Sequence, residues 1–130
     1  MRASDIVPLE DEECIVFADW LRANKIPHAH IANESRSSSK NAMIRGAKLK
    51  KMGQSRGVWD YEVFVPIRGI TGAVDCYQQL KIEMKKKKGG TVSPEQKEWK
   101  KVYELAGIPC KVCKGADEAI AFVNEYFKQK

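Results

Sequence analysis

A chain of 130 residues has room for one ordinary domain with one real core, and not for two. Its composition, 43% hydrophobic and 31% charged, excludes a disordered chain, and no apolar stretch approaches the roughly 20 residues that a bilayer span requires, so no membrane partner is expected. A net charge of +6 favours an anionic partner, and nucleic acid is the commonest one for a compact basic protein.

The charge is polarised along the sequence. Glu10 to Glu13 make the start acidic, whereas Lys48, Lys50 and Lys51, the run Lys85 to Lys88, and Lys97, Lys100 and Lys101 put the positive excess in the middle. The opening segment, Met1 to Glu13, is polar and unlike an export signal, so a cytoplasmic location is expected. Cys110 and Cys113 form a C-x-x-C, but the second pair of a zinc knuckle is missing; with Cys14 and Cys76 they read as buried or half-buried thiols.

In chain order, Glu10 to Asn24 reads as an amphipathic helix with apolar Ile15, Val16, Ala18, Trp20 and Leu21, and with acids in its first turn where the helix dipole welcomes them. It should end near Lys25 and Pro27. Pro27 to Ile31 alternates, with His28 and His30 opposite Ala29 and Ile31, which suits a short strand or extended segment leading to Asn33 and Glu34. Ser35 to Ser39 is a loop or an N-cap before a basic helix over Lys40 to Met52, which should stop at Gly53.

From Asp60 the pattern changes. Tyr61 to Ile67 is rich in β-branched and aromatic residues and predicts a strand; Arg68 to Ala73 makes the connection; Val74 to Lys85 returns, with Leu80, Ile82 and Met84 on one face and Lys81, Glu83 and Lys85 on the other. Lys86 to Thr91 is a basic loop. Ser93-Pro94-Glu95-Gln96 is a strong helix start, with Ser93 as N-cap, Pro94 at N1 and Gln96 at N3, and the helix should run to about Ala106 and Gly107. Ile108 to Lys114 is a further short strand, and Asp117 to Phe127 a closing helix on Ala119, Ile120, Val123 and Phe127. The expected fold class is α/β, a single domain over 1–130: a small mixed sheet in which an antiparallel hairpin gains a strand through a right-handed β-α-β crossover, flanked by helices.

Period two puts Glu83 and Lys85 on one face, and a hairpin in register brings both beside Asp60. Two carboxylates so close repel unless a cation sits between them, and Mg²⁺ or Mn²⁺ is the natural occupant, taking Asp60, Glu83 and the Met84 backbone carbonyl as oxygen ligands. Such an ion can activate water and neutralise charge building on a phosphodiester, while an adjacent lysine positions the water or stabilises the anionic transition state. The carboxylate-x-Lys triplet alone is not diagnostic, because Glu95-Gln96-Lys97 and Glu98-Trp99-Lys100 repeat it on a helix and a solvated strand edge would also carry it.

The order of several motifs says more. Gly53-Gln-Ser-Arg-Gly57-Val-Trp-Asp60, Ile82-Glu83-Met-Lys85, Ser93-Pro-Glu-Gln96-Lys-Glu-Trp99, Ala106-Gly107 and a last helix ending in Tyr126 together resemble the VRR-NUC (virus-type replication-repair nuclease) branch of the PD-(D/E)XK superfamily, which has a restriction-endonuclease-like core. Asn33-Glu34 and the helix end at 48–53 resemble the segment that precedes the aspartate there, so the similarity runs roughly from Glu10 onward. The resemblance implies Asp60 and Glu83 as metal-binding carboxylates, Lys85 as the catalytic lysine and Gln96 as the glutamine facing the site. It also implies a glutamate on the first helix. Glu10 matches it best by its distance to Trp20 and Leu21, but the usual glutamine four residues later is Cys14 here, which leaves Glu12 and Glu13 open. The family commonly has proline directly before the aspartate, where this chain has Trp59, a change that bears on the turn more than on the ligands.

What the resemblance implies for function is a Mg²⁺- or Mn²⁺-dependent deoxyribonuclease hydrolysing phosphodiester bonds of branched DNA as a homodimer, in the manner of a Holliday-junction resolvase. The small stand-alone members are phage or bacterial proteins, which suggests DNA repair in the cytoplasm of a bacterium or an infected host cell. Lys48, Lys51, Arg56, Lys86 and Lys87 are the candidates for phosphate contacts, and with no base-reading motif in view the expected recognition is of shape and backbone, with strong salt dependence. The plainer readings are a catalytically silent DNA-binding module with the same fold, and a protein whose lysines serve solubility only. Each supporting residue has its plain reading too: Gln96 as a helix cap, Glu10 to Glu13 as answers to the helix dipole, Trp20 and Trp99 as core, and His28 and His30 as structural or exposed rather than metal-binding.

Overall fold

β-Branched and aromatic side chains make Tyr61–Arg68 (β2) and Val74–Lys85 (β3) strands, and the antiparallel register Tyr61↔Ile82, Val63↔Leu80 and Pro66↔Tyr77 closes them into the expected hairpin. The computed structural model describes residues 10–31, 47–48, 50–53 and 55–127. Within them the remaining elements are α1 (Glu10–Ala23), β1 (His28–His30), α2 (Pro94–Leu105), β4 (Cys110–Lys114) and α3 (Ala116–Asn124). The sheet order is β1-β2-β3-β4, antiparallel except for the parallel β3–β4 pair, so β3-α2-β4 is the crossover that makes the sheet mixed. Residues 28–30, expected as a short strand or extended segment, form an edge strand on β2.

The two faces of the sheet are covered differently. Tyr61, Val63, Val65, Leu80, Ile82 and Met84 form one buried face with Phe17 and Leu21 of α1 and Ala119, Phe122 and Val123 of α3. The opposite face carries Lys81 and Glu83 and is met by α2, whose Tyr103 ring lies 5.2 Å from the Lys81 ammonium. Burial on both faces explains why Leu80 to Met84 is an unbroken buried run even though two of its members are charged.

α2 begins as its sequence dictates, with the Ser93 hydroxyl accepting from the Gln96 N–H and the Gln96 side chain accepting from the Ser93 N–H. Its C-cap is Ala106, and α3 ends at Asn124, a turn earlier than the apolar spacing to Phe127 predicts. The expected loop at Asn33, Glu34 and Ser35 to Ser39 lies outside the described residues, as does most of the helix expected over 40–52. Residues 47, 48, 50 and 51 are helical, and that helix turns at Gly53 as expected.

One expectation for α1 is corrected. Ile15 and Val16 are 59% and 52% exposed, and the buried stripe is Glu13, Phe17 and Leu21. At 100° per residue, positions four apart share a face, while Ile15 falls on the far side of the helix and Val16 to the flank. A glutamate tolerates the buried position because its Oε1 accepts the Ala116 N–H at 3.1 Å and so caps α3, whose own N-cap, Gly115, has no side chain to do it. Lys87 adds an ammonium 3.7 Å away. Replacing Glu13 by alanine leaves a buried N–H without an acceptor and is expected to cost about 1–3 kcal/mol in urea unfolding, whereas Glu13→Gln, which keeps an acceptor, should recover most of that loss.

Candidate active site

β2 starts at Tyr61, opposite Ile82, so the last three residues of β3 run past the start of their neighbour. The gap beside them is filled by a side chain. Asp60, the residue before β2, turns its carboxylate into that edge, where Oδ2 accepts the Met84 N–H at 3.0 Å. In return the Asp60 N–H donates to Glu83 Oε1 at 3.2 Å. The two carboxylates are thus locked together by reciprocal bonds between side chain and backbone. The β4 side of β3 is served by Lys81, whose N–H goes to the Pro109 carbonyl, and by Lys85, whose carbonyl accepts from the Gly115 N–H. Alternation then turns the N–H and carbonyl of Met84 toward Asp60.

Lys85 and Gln96 complete the cluster. The Lys85 ammonium is 3.3 Å from Glu83 Oε2, and Gln96 Nε2 donates to the same oxygen at 2.7 Å. Gln96 therefore has both roles open to it in the sequence: its carbonyl oxygen caps α2 and its amide nitrogen holds Glu83. Because the cap fixes one end of the amide, the other points to the acid.

Glu83 is 2% exposed. Burial, and then the neighbouring Asp60 charge, push its carboxyl up to about 7, against the opposing pull of Lys85. Asp60 is also held above the ordinary carboxylate range, by burial first, with the Met84 N–H, His30 and Lys85 working the other way. The two acids titrate as a pair. A hard cation such as Mg²⁺ or Mn²⁺ binds through one or two carboxylates and keeps several waters, and Asp60, Glu83 and the Met84 carbonyl are the oxygen donors that could hold one here. Among the described residues no three His, Cys, Asp or Glu side chains converge as a closed metal cage.

Of the three N-terminal glutamates, Glu13 is committed to capping α3 and Glu12 is exposed. Glu10 lies one turn before Cys14, whose thiol is pushed up to about 11 by burial, with the charges of Asp60 and Glu10 adding to it. Lys48, Lys51, Arg56 and Lys86 are exposed, and Lys87 faces Glu13. The histidines do not join the cluster as a pair, for His28 Nδ1 contacts the Ile26 carbonyl and the His30 ring leans on Tyr61 with centroids 4.8 Å apart. Cys110 and Cys113 are three positions apart on a strand and so face opposite sides, and burial raises both thiols, Cys113 to about 12.

Two parts of the site have partners that the motifs do not reveal. Trp59, fully buried, donates its indole N–H to the Gln96 carbonyl at 3.0 Å and its backbone N–H to the Tyr103 hydroxyl at 3.3 Å. Trp99, expected in the core, is half-buried, with its indole N–H on the Arg56 carbonyl at 3.1 Å. Between these anchors Gly57, at φ +79°, comes so near α2 that a β-carbon there would sit 2.6 Å from the Glu95 carbonyl carbon. The second feature is Lys81, 4% exposed, with Glu62 Oε1 at 3.9 Å; burial lowers its ammonium from the usual range. The i, i+3, i+7 spacing of Gln96, Trp99 and Tyr103 marks one face of α2, but nothing in the sequence says what that face meets.

No protein-family model matches the chain, and no curated protein sequence does. Among solved structures it is similar to a VRR_NUC domain protein, with a TM-score of 0.68 and 26% identity over 92% of this chain and 88% of that one. The fold is that of a VRR-NUC domain, as the motif order implies.

The raised carboxyl of Glu83 sets a pH dependence. In the metal-free protein, the stability gained by keeping Glu83 protonated is complete below its ordinary value of 4.5 and is lost as pH rises through about 7. The urea midpoint should therefore fall between pH ~5 and pH ~8. In Glu83→Gln, which stays neutral, the fall should be clearly smaller.

Proposed function

We infer that this VRR-NUC-type nuclease domain is a divalent-metal-dependent DNA endonuclease, with Asp60, Glu83 and the Met84 carbonyl as the ligands of Mg²⁺ or Mn²⁺. The observation that carries the reading is the pairing of a half-buried carboxylate, Asp60, with a buried one, Glu83, at the edge of neighbouring strands, with a lysine ammonium 3.3 Å from Glu83. Two acids so placed favour a cation, and the net positive chain around them favours an anionic substrate. When bound, the cation supplies Lewis acidity, making water a nucleophile near neutral pH and neutralising charge on the phosphodiester.

The chain's own groups do the rest. Lys85 has three donors and no acceptor, so its ammonium can hold Glu83 in the resting site and reach a phosphoryl oxygen as negative charge grows there. Its partial burial strengthens that interaction, because less water competes than at an exposed lysine. Gln96, fixed by its own cap, keeps the Glu83 carboxylate oriented, which makes it a positioning residue. Glu10 is the first-helix glutamate of this reading. On this reading Lys48, Lys51, Arg56 and Lys86 contact the phosphate backbone, which fixes register without reading sequence, and Lys87 adds charge at the same loop.

Branched DNA, a Holliday junction above all, is the substrate this reading assigns, cut by a homodimer. Its support is the likeness to the small VRR-NUC nucleases together with symmetry, since paired cuts in a four-way junction call for two identical sites related by a dyad. The silent-module alternative is less favoured because Asp60, Glu83 and Lys85 are all present and gathered together.

Labelled duplex, flap and four-way substrates incubated with Mg²⁺ test the reading. Wild type should cut the four-way junction best, chelation should stop it, and Asp60→Ala and Lys85→Ala should each lose at least about a hundredfold in rate. Binding without cutting by the wild type would assign the silent module instead, and neither binding nor cutting would overturn the DNA reading altogether.

A further inference from the structure

We propose that Trp59 is a positioning residue for the acid pair: wedged between Tyr103 and the carbonyl of Gln96, it ties the Asp60 turn to the same helix that steers Glu83. The inference rests on the metal-nuclease reading above for its catalytic consequence, but its structural content stands apart from it.

Asp60 lies at the end of a stretch, 55–59, that belongs to no helix or strand. Such a stretch needs an outside reference if its last side chain is to be held within a fraction of an ångström, and misplacement by about 1 Å is enough to cost an active site two orders of magnitude. α2 is that reference. The Trp59 ring packs edge-on against Tyr103 with centroids 5.4 Å apart, and both nitrogens of Trp59 donate to α2, one to the Tyr103 hydroxyl and one to the Gln96 carbonyl. Trp99 stacks on Tyr103 with centroids 5.6 Å apart and donates to the Arg56 carbonyl.

Gln96 is where the two supports meet. Its backbone carbonyl receives the Trp59 indole, and its side chain donates to Glu83. The path from one acid to the other through the protein is therefore Asp60, Trp59, Gln96, Glu83, a closed loop completed by the direct Asp60 N–H to Glu83 bond. Any buried residue must satisfy its backbone N–H, but one that merely filled the core would need the bulk of the ring and not the indole donor. Trp59 uses both.

Trp59→Phe keeps an aromatic ring and the backbone donor while deleting the indole N–H, and Tyr103→Phe keeps the ring stack while deleting the acceptor for the Trp59 N–H. Amide hydrogen exchange on the ¹⁵N-labelled full chain reads the effect without metal or substrate. In each variant the amides of Asp60 and Met84, both bonded across the acid pair, should exchange about tenfold faster, while Val63 and Leu80 keep wild-type protection. With the metal, the Mn²⁺ dissociation constant from calorimetry should rise several-fold, and kcat should fall about tenfold with KM for DNA within twofold. Unchanged exchange at Asp60 and Met84, or acceleration spread equally over the sheet, would overturn the proposal and leave Trp59 as core filling. If the wild type binds no Mn²⁺ and cuts no DNA, the functional reading fails, yet the exchange pattern still decides the positioning role.

Discussion

A buried carboxylate, Glu83, and a half-buried one, Asp60, lie side by side where β3 overruns β2, and much of the surrounding architecture serves to tolerate them. An isolated buried carboxylate is so unfavourable that it normally neutralises by taking up a proton. Here Asp60 accepts a backbone N–H, Glu83 accepts a second one, a glutamine amide and a lysine ammonium, and burial still raises both acids above their ordinary range. A site under that tension is one that a divalent cation would relieve, and binding of one would release the proton that Glu83 otherwise keeps near neutrality.

α2 carries the burden of organisation. Its capping box fixes the first turn, and the amide of Gln96 extends that cap to Glu83. One turn on, Trp99 holds the loop at Arg56, and a turn further Tyr103 receives Trp59 and shelters Lys81. The polar face of the sheet, whose charges also pair with Glu62 and Lys85, is thus covered by one helix, while the apolar face is closed by α1 and α3, joined through the Glu13 carboxylate at the start of α3. A rigid element with a defined start is a better frame for an active site than a loop, because its side chains keep fixed relative positions.

Local patterns made much of this legible in the sequence. The hairpin, the capping box and the last helix follow from period two, from Ser93-Pro94-Glu95-Gln96 and from apolar spacing, all of which act within a few residues. The cluster of Asp60, Glu83, Lys85 and Gln96 was legible because register and alternation carry side chains to predictable sides, and the motif order did the rest. What stayed hidden depends on partners far along the chain. The inward turn of Glu13 at the expense of Ile15 and Val16 is set by Ala116, the burial of Lys81 by Glu62 and Tyr103, and the anchoring of Trp59 by Gln96 and Tyr103. Apolar spacing along a helix says that one face is buried but does not choose among neighbouring stripes, and a tryptophan looks the same in sequence whether or not its N–H groups are used.

The most direct measurement of the central claim is a crystal structure of the chain grown with Mn²⁺, read by anomalous scattering. A single strong peak within coordination distance of one oxygen each of Asp60 and Glu83, and of the Met84 carbonyl, is the predicted result. Crystals saturated with Mn²⁺ in which that position carries no anomalous density, or in which the ion is bound elsewhere while Lys85 and Gln96 still occupy Glu83, would contradict it.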